Sequence, residues 1–206
     1  NGIIALEKYK NKIEKFLDIK ITIYGFDSGE GMPETKLYQD LKYIWKPGFF
    51  KINKDLLEEK IKSKIFYGDI KNTVDQFLNF TPKNISAIFF DLDYYSSTKI
   101  FLDQIKKLHG CLCPRVYCYF DDVFDVNLSI CKYNGELLAI DEFNKENNNT
   151  KIAISLDNIK HFKFPLAKNM IHIMHNFNHP DYNKFIGLNN QNSLSLDNKD
   201  YDRNIL

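Results

Sequence analysis

The sequence predicts an α/β fold built on a doubly wound, mostly parallel sheet. Segments typical of strands and of helices alternate along most of the 206 residues, which is the pattern of βαβ units. Two apolar segments, residues 87–90 and 113–120, are rich in β-branched and aromatic side chains and are too short for a typical helix. We therefore expect them to be central strands covered on both faces, within one domain that has a sizeable core.

The first half of the chain is assigned from the spacing of its apolar side chains and from its capping and turn residues. Residues 34–50 are rich in aromatic side chains but have no regular period, so they form either a lid over a site or a surface loop pinned by its aromatics. The predicted elements are a helix over 4–17, a strand over 19–26, a helix over 53–61 capped by Asn53, a strand over 64–67 and a helix through 74–78.

The second half continues the same alternation of elements. Ser96 or Ser97 is expected to cap the helix that follows the first central strand. The last strand is expected to run antiparallel at the edge of the sheet. The predicted elements are a helix over 98–109, a strand over 113–120, a helix over 136–146 and strands over 151–156 and 170–177.

The chain opens with a helix and leaves no room for a strand before it. In a doubly wound domain we expect the first strand, and most of the glycine loop after it, to lie upstream of residue 1. Asn1 and Gly2 would then be the remnant of that turn. The expected domain covers residues 1–183, and residues 184–206 are polar and rich in Asn, Asp and Ser, which is typical of a disordered tail.

A pair of carboxylates follows each central strand. Asp91 and Asp93 come after the first strand, and Asp121 and Asp122 come after the second. Open α/β sheets bind ligands at the carboxyl ends of their strands, so these side chains should converge there. Crowded carboxylates repel one another, and a hard divalent cation such as Mg²⁺ relieves the repulsion. The alternative is that the acids cap the helices that follow them.

Two further acids also end predicted strands. Asp27 lies at about the distance from Gly2, roughly 20 residues, at which nucleotide-binding α/β folds place the carboxylate that accepts ribose hydroxyls. Because Asp27 is followed by Ser28 and by a segment rich in glycine, it fits a simple turn residue equally well. Asp69 ends the strand over 64–67 in the same way.

The charge balance limits the kinds of molecule that the protein is expected to bind. With 28 basic and 27 acidic residues the formal net charge is +1, so no field of one sign favours nucleic acid or an anionic membrane. No apolar segment approaches the roughly 20 residues that span a bilayer. We expect a cytoplasmic protein with a small-molecule ligand, and a homodimer is left open. Nucleophilic hydrolysis has no support, because no Gly-x-Ser-x-Gly segment occurs.

Three ordered segments resemble those of the macrocin O-methyltransferase-like family, whose members are class I methyltransferases with a Rossmann-like sheet. The family's Gly-Phe-Asp-Ser-x-Glu-Gly-x-Pro segment is matched at residues 25–33, its Asp-x-Asp-x-Tyr-x-Ser-Thr segment at 91–98, and its Asp-Asp strand end at 121–122. The resemblance covers more than half of the chain. The chain departs from the family in lacking the glycine-rich cofactor loop and the Gly-Gly turn, which residues 113–115 replace.

The resemblance implies an enzyme that uses S-adenosylmethionine and Mg²⁺ to methylate a hydroxyl of a sugar or glycoside. It implies that Asp91, Asp121 and Asp122 hold Mg²⁺ and that Asp93 is the general base. Physical chemistry agrees, because a cation that binds two adjacent hydroxyls lowers their pKa and a neighbouring carboxylate can then take the proton.

A cofactor site is also implied by the resemblance. Asp27 would contact the ribose end of S-adenosylmethionine, and Asp69 would contact its adenine end. The implied cofactor-binding residues are Gly2, Asp27, Ser28, Asp69 and Asp91.

Two other functions remain open at this point. Residues 89–93 also resemble the opening motif of haloacid-dehalogenase-type phosphatases, in which Asp91 would be the nucleophile. That family has Thr or Val where Tyr95 stands here. The absent glycine loop is also compatible with a catalytically silent methyltransferase fold that serves as a binding domain.

Overall fold

The computed structural model describes residues 2–124, 129–156 and 169–185, which form an α/β fold. Strands and helices alternate as the sequence predicts. Within segment 34–50 the regular structure consists of a short 3₁₀ helix, Tyr38–Asp40. The helices are α1 (Gly2–Leu17), α2 (Lys54–Glu58), α3 (Ile70–Leu78), α4 (Tyr95–Leu108) and α5 (Gly135–Glu146), and the strands are β1 (Tyr24–Asp27), β2 (Lys64–Tyr67), β3 (Ile85–Phe90), β4 (Leu112–Phe120), β5 (Thr150–Ile154) and β6 (Ile171–Asn176).

The strands form two hydrogen-bonded sheets. β1 and β2 pair in parallel, and the larger sheet has the order β3-β4-β6-β5. β3 and β4 are parallel, whereas β6 runs antiparallel to both of its neighbours. The predicted direction of the last strand is therefore confirmed, but its predicted position is wrong. Among the described strands, β6 pairs on both sides and lies inside the sheet, so the edge strands are β5 and β3. The prediction of a central strand is therefore confirmed for β4 and wrong for β3 within this sheet.

One face of the two sheets forms the core together with α3, α4 and α5. β3 and β4 contribute Phe90 and Phe120, which are almost fully buried. Their rings stack with 4.1 Å between centroids and 11° between planes. α4 contributes Leu102 and Ile105 to the same layer. This layer therefore holds the ends of β3 and β4 in a fixed relative position.

The opposite face of the sheets is only partly covered. α1 packs on that side of β1, because Gly25 faces Ile3 while the alternate side chains of the strand face Phe77 of α3. On the larger sheet the described residues leave this face open, with Phe89 53% and Tyr117 56% exposed. Within the described ranges, the prediction that both faces of these strands are covered is therefore wrong, because α3, α4 and α5 all pack on the other face.

Other boundaries differ in smaller ways. β1 begins at Tyr24 and not at residue 19, because its partner β2 offers only four residues for pairing. Asn53 caps α2 as predicted, and its Oδ1 accepts from Leu56 N at 3.1 Å. In the described part of the chain, no helix combines the length and the apolar character that crossing a bilayer requires. Of the predicted tail, residues 186–206 lie outside the described residues.

A buried acid from segment 34–50 fixes the start of α4. The N-cap residue of this helix, Tyr94, makes no side-chain cap bond. The carboxylate of Asp40 takes that role, accepting from Ser96 N at 2.8 Å and from Ser96 Oγ at 2.9 Å. Thr35 Oγ1 donates to the same carboxylate. The prediction that Ser96 or Ser97 caps the helix is therefore wrong, since Ser96 is itself the donor in the first turn.

Asp40→Ala should loosen segment 34–50 without unfolding the domain. The change leaves Ser96 and Thr35 without their acceptor, so the free energy of unfolding should fall by about 1–3 kcal/mol. Urea unfolding measures this fall, and limited proteolysis should cut within 34–50 faster than in the wild type. Asp55→Ala, at an exposed position in the first turn of α2, is the control and should leave that cleavage rate unchanged. Equal cleavage of the Asp40 variant and the wild type would contradict the prediction.

Candidate functional site

The register of β3 and β4 brings the two acidic segments together. Phe90 pairs with Phe120 at the last position of both strands. Asp91 and Asp121 are the next residues of two parallel neighbours, so they leave the sheet side by side. One oxygen from each of Asp91, Asp121 and Asp122 lies within 4.8 Å of the other two. The structure thus brings together the three residues predicted to hold a metal.

The donor set of this acidic cluster fits a divalent cation that prefers oxygen ligands. Asp91 is exposed and Asp121 and Asp122 are half-buried, so the cluster is accessible from solvent. Asp121 Oδ1 is buried and has no hydrogen-bond partner among the described residues. Buried carboxylate oxygens are normally paired. A cation bound by the three carboxylates would supply the missing partner, so the residues present fit Mg²⁺.

Asp93 lies beside the cluster in a left-handed backbone conformation. Its φ is 55°, and Tyr94 N donates to Leu92 O around it, which closes a tight turn. Asp is one of the few residues other than glycine that enter this region readily. Burial, the charges of Asp122 and Asp91, and a hydrogen bond with Asp122 raise the pKa of Asp93 to about 7. A carboxyl group with a pKa near neutrality is suited to accept a proton.

Two further carboxyl groups of this region, those of Asp121 and Glu136, also have raised pKa values. Burial and the charges of Asp91 and Asp122 raise the pKa of Asp121 to about 8. Glu136, in the first turn of α5, is fully buried. Burial and the charges of Asp122 and Asp121 raise the pKa of Glu136 well above its ordinary value. Without a cation, the cluster therefore retains protons at a pH where isolated carboxyl groups have lost them.

The metal-free chain should lose stability as the pH rises from about 5 to about 8.5. Asp93 and Asp121 keep their protons in the folded state up to pKa values of about 7 and 8, whereas the unfolded chain releases them near pH 4. The folded state binds more protons in this window, so the free energy of unfolding falls with rising pH. Mg²⁺ binds the ionised form and should therefore raise the Tm more at the upper pH than at the lower.

Thermal unfolding followed by circular dichroism, in EDTA and in excess Mg²⁺, measures both effects. Asp103→Asn is a suitable control, because Asp103 is an exposed partner of Lys99 on α4 and lies outside the cluster. The control should keep the pH dependence of the wild type. A metal-free Tm that rises through this pH window would contradict the prediction.

The candidate cofactor acids lie at the carboxyl ends of β1 and β2. Asp27 Oδ1 accepts from Gly29 N at 2.5 Å, so one oxygen shapes the turn after β1. Asp69 caps α3 by accepting from Lys71 N at 2.8 Å. Gly68 N donates to Asp27 O at 2.9 Å and keeps the two strand ends adjacent. Both side chains are exposed. Contact with a cofactor stays a prediction for each of them.

The remaining candidates give less support to a cofactor site. Ser28 Oγ donates to Gly31 O and accepts from Glu30 N, each at 3.2 Å. Gly2 is the first residue of α1, and a Cβ there would meet no atom within 4 Å. The structure therefore shows no close approach that requires glycine at residue 2. Asp91, also predicted to contact the cofactor, belongs to the acidic cluster.

The segment after β1 folds back on itself and forms a closed loop. Met32 N donates to Phe49 O, and Gly48 N donates to Met32 O, each at 2.8 Å. Gly31 has a φ of 79°, and a Cβ there would lie 2.4 Å from Phe49 O, so only glycine fits. The loop is therefore fixed at its base and, through Asp40, at the start of α4 beside the acidic cluster.

Sequence reasoning missed two residues that build this region. Asp40 lies in a segment without regular periodicity, and no local signal marks it. Glu136 did carry a signal, because it falls on the buried stripe of α5 with Ala139, Ile140 and Phe143. A charged residue on an apolar stripe indicates a buried polar partner.

A cleft of about 470 Å³ lies at the amino ends of the strands of the smaller sheet, opposite to the ends that carry the candidate site. It is lined by α1 and by residues at or before the amino ends of β1 and β2. Within it, Glu7 Oε1 accepts from Lys62 N at 2.7 Å and from Ser63 N at 2.6 Å. Its lining includes none of the candidate site residues, which lie at the carboxyl ends of the strands.

The chain was compared with known families, curated proteins and solved structures. No protein-family model and no curated protein matches it. Among solved structures it is similar to the apo structure of CalS11, a TDP-rhamnose 3'-O-methyltransferase of calicheamicin biosynthesis. That match has a TM-score of 0.48 and 19% sequence identity, and it covers 82% of this chain and 66% of that chain. This chain thus spans just under two thirds of that protein's length.

Proposed function

We propose that this chain is a class I methyltransferase domain that methylates a hydroxyl of a sugar or glycoside, with S-adenosylmethionine as donor and Mg²⁺ as an aid. The observation that carries the proposal is the convergence of Asp91, Asp121 and Asp122 with Asp93 beside them. The resemblance of segments 25–33 and 91–98 to family motifs supports the same class.

The acidic cluster would hold the cation through Asp91, Asp121 and Asp122. A cation held by these three residues would supply an electrophile that lowers the pKa of the acceptor hydroxyl. The three carboxylates then supply the negative charge that keeps a divalent cation in a site open to solvent. Asp93 does not belong to this set, which leaves its carboxylate for a proton-transfer role.

Asp93 takes the proton of the acceptor hydroxyl. S-adenosylmethionine, held at the neighbouring strand ends, would supply the methyl group. The hydroxyl oxygen would bond to the methyl carbon as the carbon–sulfur bond breaks, the electron pair of that bond would stay on sulfur, and the proton would remain on Asp93. Such a displacement requires in-line approach, so positioning by the strand ends should contribute much of the rate.

Asp27 and Asp69 would bind the donor at the neighbouring strand ends. Both are exposed acceptors on adjacent parallel strands, which suits the ribose hydroxyls and the adenine amino group of the cofactor. The turn bond of Asp27 and the capping bond of Asp69 each engage one carboxylate oxygen. Among the described residues the other oxygen of each remains for a ligand.

The acceptor would be bordered by the closed loop of residues 32–49. Asp40 places this loop at the start of α4, directly after Asp93. The loop exposes Tyr38, Tyr43 and Phe49. Aromatic faces stack on sugars, and an amphipathic face suits a glycoside.

Calorimetric titration with S-adenosylhomocysteine, in Mg²⁺ and then in EDTA, tests the donor site. We expect micromolar binding in both conditions, because the cation is proposed to hold the acceptor more than the donor. A turnover assay with a labelled methyl donor and a panel of sugar acceptors then tests transfer, which EDTA should abolish. The absence of donor binding in both conditions would sink the proposal, and would favour a silent binding domain.

A further inference from the structure

Glu136 connects the two acidic segments from inside the protein. Its Oε2 accepts from Asp122 N at 3.3 Å, and its Oε1 lies 3.4 Å from Thr98 Oγ1. Thr98 Oγ1 also donates to Tyr94 O at 3.0 Å. Tyr94 directly follows Asp93 in the chain. A continuous path of polar contacts therefore runs from the backbone of Asp122 to the backbone beside Asp93.

The three residues that connect the two acidic segments along this path are buried. Glu136 and Thr98 are 0% exposed, and Tyr94 is 1% exposed. Water cannot readily replace a lost partner at such positions, so each contact constrains the backbone groups that it joins. A carboxyl group on the apolar stripe of α5 costs desolvation energy that an apolar side chain would not. Packing alone therefore does not account for glutamate at residue 136.

We propose that Glu136 is a positioning residue that sets the separation of the two acidic segments and thereby the affinity of the cluster for a divalent cation. The inference rests on the proposed function, because it concerns the same cation position. Asp91 and Asp122 lie on different strand ends, and a cation must bind both at oxygen distances of about 2.1 Å for Mg²⁺. A shift of either strand end changes that fit directly.

α4 and α5 are also joined by a second contact that avoids the cluster. Tyr95 OH donates to Glu142 Oε2 at 2.7 Å. Glu142 is on the same helix as Glu136 and also connects that helix to α4. In the described part of the chain its hydrogen bond is to Tyr95 and not to Asp122 or Asp121. Glu142→Ala therefore weakens the pairing of the two helices while leaving the path through Glu136 intact.

Titration calorimetry of the full chain with Mg²⁺, at a pH of about 8 where the carboxyls ionise readily, measures the affinity. Glu136→Ala should weaken Mg²⁺ binding by about 10- to 100-fold, the range typical of residues that orient metal ligands. Glu136→Gln should bind Mg²⁺ within a few fold of the wild type, because the glutamine amide can accept from Asp122 N and donate to Thr98 Oγ1. Glu142→Ala should bind Mg²⁺ like the wild type. Circular dichroism confirms that each variant is folded.

Thr98→Val keeps the shape of the side chain and removes the middle of the path, so it should lower the affinity in the same direction as Glu136→Ala. It decides the question if Glu136→Ala does not fold. Unchanged affinity in these variants would overturn the proposal, as would an equal loss in Glu142→Ala or in Glu136→Gln. A wild type that binds no Mg²⁺ would instead remove the proposed cation site, and this inference with it.

Discussion

Asp93→Asn should lower the rate of methyl transfer by about 10²- to 10⁴-fold, the contribution typical of a general base. Asparagine has the same size and tolerates the left-handed backbone at this residue, where φ is 55°. Its amide can also donate to Asp122, so the turn should keep its shape. Only the capacity to accept the proton of the acceptor is removed.

Initial rates with a labelled methyl donor measure this loss, and calorimetry checks the two binding steps. The variant should bind S-adenosylhomocysteine and Mg²⁺ within a few fold of the wild type. Asp103→Asn, an exposed change on α4, should keep the full rate. If Asp93→Asn turned over like the wild type, Asp93 would not be the base. Loss of donor binding together with the rate would indicate a structural role for the residue.

Asp121→Asn should affect stability and metal binding in opposite directions. Burial, together with the charges of Asp91 and Asp122, disfavours the ionised form of Asp121, whose pKa is raised to about 8. A neutral amide relieves this repulsion, so the metal-free variant should unfold at a higher temperature than the wild type above about pH 7. The same change removes a proposed ligand, so Mg²⁺ affinity should fall by more than about 100-fold. This loss exceeds the one usual for a residue that only orients a metal ligand.

Thermal unfolding in EDTA at about pH 5 and about pH 8.5 measures the first effect, and titration with Mg²⁺ measures the second. The stabilisation should vanish at the lower pH, where the wild-type carboxyl is already protonated. Asp141→Asn is the matched control, because Asp141 is paired with Lys145 on the exposed side of α5. A variant that retained Mg²⁺ affinity would exclude Asp121 as a ligand.

The convergence of the acidic side chains could be predicted from the sequence because its signals are local. Asp91 and Asp121 each follow an apolar strand directly, and parallel strands end at the same edge, so their meeting could be inferred without coordinates. The directions of the strands followed from the same alternation of elements.

The parts that could not be predicted depend on contacts between distant segments. Asp40 forms hydrogen bonds with Ser96, which lies 56 positions further along the chain. Neither the spacing of apolar residues nor a sequence motif indicates this pair. The open face at Phe89 and Tyr117 is equally invisible in sequence, since an apolar strand has the same composition whether helices cover one of its faces or both. The internal position of β6 depends on which strand edge it pairs with, and periodicity does not encode that choice.

The closed base of residues 32–49 makes this loop an exchangeable unit. Because the chain enters at Met32 and returns at Phe49 through reciprocal hydrogen bonds, its two ends stay together whatever lies between them. Segments of other length and sequence could thus be grafted there, provided that they retain an acid able to reach Ser96, as Asp40 does. If the loop borders the acceptor as proposed, the choice of acceptor and the core of the domain can vary independently, and a library confined to this loop would test that.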